Sequence, residues 1–202
     1  MTNTDFSSAQ LDFANLDGAT LTGSNLSGAD LSFASMISVY LRAANLSGAS
    51  LVDANLYMAY LANANLSSAD FTSAYMYDAY LGSADLTNAV LTGANLFDAH
   101  LANAKLVSAD LSGANLFDAF LGSADAHAAN FGSADLSYAY LGSANLQGAD
   151  IRNADLSYAY LGGASMNGIN GEVRVEGVIW DNTICPNGVL SNDNGGTCVG
   201  TW

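Results

Sequence analysis

Small, polar and large residues follow one another along this chain with a period of five. From residue 4 to residue 168 it divides into 33 consecutive quintets without an insertion or deletion, each reading small, polar, large, any, any. Ala14-Asn15-Leu16-Asp17-Gly18 and Ala109-Asp110-Leu111-Ser112-Gly113 are two of them. The first position is Ala in 30 quintets, Thr4, Ser24 and Val39 being the exceptions, and the third is Leu in 25. Phe6, Met36, Phe71, Met76, Ala126, Phe131, Ile151 and Met166 take the other third positions, and the second is mostly Asp or Asn.

This period fits neither regular structure. On an α-helix five residues overshoot a full turn by about 140°, so the leucines would spiral over every face. On a flat strand an odd period throws successive leucines onto opposite faces. The pattern is consistent only with a chain that bends once per quintet. The first and third side chains then point inward, the second outward, and the last two residues turn the corner. At Ala126 the large inward side chain is missing, which predicts a local void or an inward shift.

A second period gives the cross-section. Every twentieth residue from Tyr40 reads Tyr40, Tyr60, Tyr80, His100, Phe120, Tyr140 and Tyr160, all in second positions. A companion column runs Tyr57, Tyr77, Phe97 and Phe117, then moves one residue along to Tyr138 and Tyr158. Twenty residues are four quintets, so a coil has four sides. The repeats then make about eight coils, and at ~4.8 Å per coil a rod roughly 40 Å long.

These quintets resemble the pentapeptide-repeat family, whose motif is A(D/N)LXX, and the resemblance covers about four-fifths of the chain. It implies an all-β solenoid, a right-handed quadrilateral β-helix, over residues 1–168. The usual crossover handedness favours the same hand. Residues 169–202 differ in composition and are expected to form a C-terminal cap, with Val173, Val175, Val178 and Ile179 in one or two strands and Trp180 as plug. Only Met1 to Asn3 precede the first quintet, so the N-terminal coil is expected to be open, with Phe6 and Phe13 near its edge and stacking on another copy as the consequence.

Charge narrows the partners. Nineteen acidic residues face four basic ones, a net charge of -15, although only 11% of residues are charged. Such a surface repels nucleic acid and anionic membranes, and no apolar run is long enough to span a bilayer. The first residues carry neither a basic segment nor an apolar stretch, so no secretory leader is expected in them. Cys185 and Cys198, the two cysteines of the chain, share one turn-rich loop and are expected to form a disulfide. That pairing favours an extracellular or periplasmic location; two free thiols in the cytoplasm are the alternative.

Catalytic and metal chemistry find no foothold. There is no nucleophile-base motif, no phosphate-cradling glycine loop and no zinc ligand set, since His100 and His127 are remote from the two cysteines. No enzyme activity and no cofactor are expected. Asp78, Asp98 and Asp118 stack in one column, which reads as a solvated turn column or as part of a binding surface. Asn192 to Asn194 lack a complete calcium loop and read as turn formers.

The aromatic columns are the strongest functional lead, because second and fourth positions point outward. Either the rings only stabilise neighbouring coils, or they form an interaction surface for a second copy, another protein or a glycan. The first functional reading is therefore a structural or interaction rod that associates through the aromatic stripe or the open end. The resemblance supplies a second, because some pentapeptide-repeat proteins mimic B-DNA and bind DNA gyrase. The charge suits that reading; the missing dimerising helix and the dilution of acids by uncharged residues do not. Ice binding would need a regular threonine array that the faces lack.

Overall fold

The computed structural model describes residues 2–169 and 173–201. Met1, residues 170–172 and Trp202, which the sequence assigns to the amino end and to the cap, lie outside the described residues. The quintets wind into a four-sided solenoid. Each second-position residue forms a parallel bridge with its counterpart on the next coil, from Asp5 with Asn25 through Asn145 with Ser165.

Each backbone N–H of a quintet has its own kind of acceptor. The third-position N–H donates to the second-position carbonyl of the following coil, as Leu46 to Asn65 at 2.7 Å, and the fifth to the fourth, as Gly48 to Ser67 at 2.9 Å. The second donates back to the first-position carbonyl of the preceding coil, as Asn45 to Ser24 at 2.9 Å. The first closes the corner onto the third-position carbonyl just before it, as Ala49 to Leu46 at 3.0 Å. That leaves the fourth N–H, and here the second-position Asp or Asn is needed. Its Oδ1 accepts that N–H two residues on, as Asn45 from Ser47 at 3.2 Å and Asp110 from Ser112 at 3.0 Å. The polar position of the repeat is thus an Asx turn that completes the pairing of backbone donors. Where Ser35 stands instead, Asp17 of the preceding coil takes the Ile37 N–H at 2.9 Å.

The same side chains join coils. Asn65 donates its amide to Asn45, Asn45 to Asn25 and Asn25 to Asp5, each at 3.1 Å. Lys105 interrupts this column between carboxylates and lies 3.6 Å from Asp85.

Every fifth position from Ser8 to Gly168 has a left-handed backbone, with φ between 52° and 73°. Gly fills only a minority of these corners; Ser, Asn and Asp supply most of the rest. Inside, the Ala and Leu positions from Leu26 onward are buried as expected, and Phe71 and Phe131 are fully enclosed. In the first coil Phe6, Leu11, Leu16 and Ala19 are only partly buried, and Phe13 is 70% exposed. Ala126 is buried and keeps the ladder, its N–H lying 2.8 Å from the Asn145 carbonyl. The backbone is therefore in register there, and Phe131 follows in the next quintet.

Coil geometry continues beyond Gly168 in a looser sequence. Asp155, Tyr160 and Ser165 bridge Arg174, Ile179 and Ile184, so this coil is one residue shorter than the others. Trp180 falls in a third position of this last coil and is buried. Leu190 then pairs antiparallel with Ile184, and the buried Ser191 hydroxyl donates to the Trp180 carbonyl at 2.6 Å. Cys185 and Cys198 form the expected disulfide, both residues enclosed. Asn192 accepts from the Asn182 N–H and Asn194 donates to the Thr197 carbonyl, so these residues are spent on the fold of the loop.

Two substitutions test this account by their urea midpoints. Asn65→Ala removes an Asx turn and an inter-coil amide bond and is expected to cost about 1–2 kcal/mol. Ala43→Gly relieves a left-handed alanine (φ 55°) and is expected to stabilise by up to about 1 kcal/mol.

Candidate functional site

One corner of the solenoid carries the two predicted ring columns. Fourth-position rings stand before the turn and second-position rings after it, with the fifth-position residue at the corner between them. In three successive coils that residue is Asp78, Asp98 or Asp118.

Stacking is continuous over long stretches. Tyr40, Tyr60, Tyr80 and His100 stack in order with centroids 4.8, 5.1 and 4.7 Å apart. Tyr77, Phe97 and Phe117 follow at 5.1 and 5.2 Å, with Tyr57 tilted on Tyr77 at 5.5 Å. Tyr138 joins Phe117 at a tilt and stacks on Tyr158 at 5.0 Å, so the shift along the chain does not break this column. Rings at this spacing are the expected output of coils ~4.8 Å apart, each carrying an aromatic in the same position.

The second-position column does change direction. The Asp78 carboxylate acts on the Tyr80 hydroxyl, and His100 Nε2 lies 3.4 Å from the same carboxylate, so these rings lean towards the acidic corner. Phe120 stacks on Tyr140 at 4.5 Å and Tyr140 on Tyr160 at 4.9 Å in a separate run. The second run leans the other way, over the glycine two residues on. A Cβ at Gly142 would meet the Tyr140 ring at 2.6 Å, and one at Gly162 the Tyr160 hydroxyl at 2.2 Å. Two causes are visible. Phe120 has no hydroxyl for a carboxylate, and from the next coil Tyr138 and Tyr158 replace the corner aspartates. Glycine follows at this spacing in Phe120-Leu121-Gly122, Tyr140-Leu141-Gly142 and Tyr160-Leu161-Gly162, but also in Tyr80-Leu81-Gly82, where the ring stays on the Asp78 side, so the glycine permits the second lean without dictating it.

An aromatic second position gives up the Asx turn, so the fourth N–H of that quintet loses its side-chain acceptor. Ring stacking offsets that loss along the column. Phe120, Tyr138, Tyr140 and Tyr158 are 38–52% exposed, and at the other end of the stripe Tyr40 is 44% exposed.

Two further ring groups lie outside these columns. Phe13 and Phe33 stack at 5.0 Å on left-handed fifth positions of another corner. Tyr75 stands in an otherwise polar column, between Asn55 and Asn95, and touches Tyr57 and Tyr77, both at 6.3 Å. Each departs from its own column, and that departure is the signal in the sequence. His127 is exposed, on a different side from His100.

The local field shifts the phenols. Asp78 beside Tyr80 raises that hydroxyl above its ordinary value, with burial adding to it. Burial raises Tyr77, with Asp98 adding to it, and Glu176 raises Tyr158. Because folding favours the protonated phenol, this stabilisation is complete below the ordinary value of 10.0 and is lost as pH rises through the raised one. In an alkaline absorbance titration Asp78→Asn should move the Tyr80 midpoint down towards 10.0, with Tyr80→Phe identifying the transition.

The family profile described as Pentapeptide repeats (8 copies) matches residues 1–23, 24–59, 54–93, 94–132 and 129–168. The crystal structure of HetL, a pentapeptide repeat protein involved in heterocyst differentiation regulation from the cyanobacterium Nostoc sp. strain PCC 7120, is 30% identical. The match covers 94% of this chain and 88% of that one, with a TM-score of 0.49. A trypsin-treated variant of QnrB1, a plasmid-mediated fluoroquinolone resistance protein, is 19% identical over 88% of this chain and 89% of its own, with a TM-score of 0.61. Among curated proteins no sequence matches the chain.

Proposed function

The chain belongs to the pentapeptide-repeat family, and from that premise we propose that it is a non-enzymatic interaction protein, a right-handed rod of about eight coils that associates with a second copy through its aromatic corner. The observation that carries this reading is the run of outward rings from Phe117 to Tyr160. There Tyr138 and Tyr158 take the corner positions that Asp78, Asp98 and Asp118 hold in the preceding coils. The rings form a ladder with one ring per column per coil, and two such ladders can pack ring edge against ring edge about a twofold axis. Rings leaning over Gly122, Gly142 and Gly162 have no side-chain bulk beneath them, and their stacking turns the ring edges outward.

The disulfide supports an oxidising compartment, extracellular or periplasmic. The net charge of -15 on each copy opposes association, so screening should favour it.

Light scattering on a sizing column, over a range of protein concentrations, tests the reading. Mass should rise above 20.7 kDa with concentration, and more readily as salt goes from about 0.1 M to 1 M and the screening length falls from about 10 Å to about 3 Å. The triple variant Phe120→Ser, Tyr140→Ser, Tyr158→Ser should weaken association at least about tenfold, the loss of about 1.4 kcal/mol or more. A wild-type chain that stays monomeric at every concentration would sink the proposal.

A further inference from the structure

We propose that Tyr57, Tyr75 and Tyr77 form a binding site for an organic cation, a quaternary ammonium or guanidinium group. The site lies in the acidic half of the corner and uses residues separate from those of the self-association surface.

Tyr75 is the residue that stacking does not account for. Its column neighbours are Asn55 below and Asn95 above, so no ring lies over either of its faces within the column. Those asparagines each hold an Asx turn, Asn55 to the Tyr57 N–H and Asn95 to the Phe97 N–H, both at 3.1 Å. Asn115 also donates its amide to Asn95 at 3.4 Å. Tyr75 forgoes the turn and interrupts the amide ladder, and it remains 43% exposed.

The ring instead lines a groove of about 330 Å³ together with Ile37, Asn55, Tyr57 and Tyr77. The three ring centroids make a triangle with sides of 5.5, 6.3 and 6.3 Å. A cation seated over it can lie within about 6 Å of all three, the range in which ring quadrupoles attract positive charge. Tyr75 and Tyr77 are nearly parallel, and Tyr57 is inclined to Tyr77 by 34°, which opens a cup on the groove side.

Charge complementarity selects the occupant. Asp98 and Asp78 act on the Tyr77 hydroxyl, and the chain as a whole carries a net charge of -15. The chain's own cations do not compete. Lys105, Arg152 and Arg174 are each paired with an aspartate, and Arg42 belongs to a different side of its coil from Tyr57 and Tyr75. The walls supply three phenol rings, one amide and the Ile37 side chain, which suits a poorly hydrated cation better than a compact, strongly hydrated one.

Calorimetric titration of the intact protein with choline, with an acetylated and amidated Gly-Arg-Gly peptide, and with 3,3-dimethylbutanol as the uncharged isostere of choline tests the site. At least one cation should bind saturably with 1:1 stoichiometry, and at least tenfold more tightly than the alcohol. Tighter binding of choline identifies a free quaternary ammonium as the occupant; tighter binding of the peptide identifies an arginine of a partner chain. Tyr75→Asn restores the residue of the adjacent coils and should fold at least as well, yet lose at least tenfold in affinity, while Tyr75→Phe should keep it. Equal affinity for the alcohol, undiminished binding to Tyr75→Asn, or no saturable binding of either cation would each overturn the proposal.

Discussion

The structure depends on one backbone requirement: each quintet must turn a corner with its fifth residue left-handed, and every turn must agree with its counterpart one coil away. Every fifth position from Ser8 to Gly168 satisfies it. Once the corner is set, the first and third side chains face inward, and four of the five N–H groups find carbonyl partners. The remaining donor, at the fourth position, is what the polar residue of the repeat exists to satisfy. Left-handed residues other than Gly are individually unfavourable, so the hydrogen-bonded ladder and the apolar interior must hold them there.

Much of this architecture is legible in the residues, because a spacing repeated 33 times leaves little freedom. The four-sided coil, the inward Ala and Leu and the two ring columns follow from counting positions, whereas the disulfide is expected from two cysteines sharing one loop, with free thiols as the alternative. The Asx turn is less legible, since a preference for Asp or Asn in the second position is compatible with mere solubility. Its role emerges only when the donors of Ser47 and Ser112 are traced to their acceptors. The last coil escaped the pattern for a different reason. Val173, Trp180 and Cys185 occupy repeat positions without the Ala and Leu that advertise them, and the register there is shorter than in the coils before.

At the candidate site the sequence placed rings in columns and could not give the direction in which they lean. The Asp78 carboxylate draws the rings to one side, and the missing side chains of Gly142 and Gly162 permit the other. Tyr75 was hidden for the opposite reason. A search for recurring aromatics passes over a ring that occurs once in its column, although that singularity is what separates it from rings whose neighbours explain them.

The Cys185–Cys198 bridge closes the far end of a structure in which each coil touches only the coils beside it. The first coil has a half-buried interior and no such bond. The bridge therefore fastens the tail onto the last coil, while every coil before it is held by its neighbours alone.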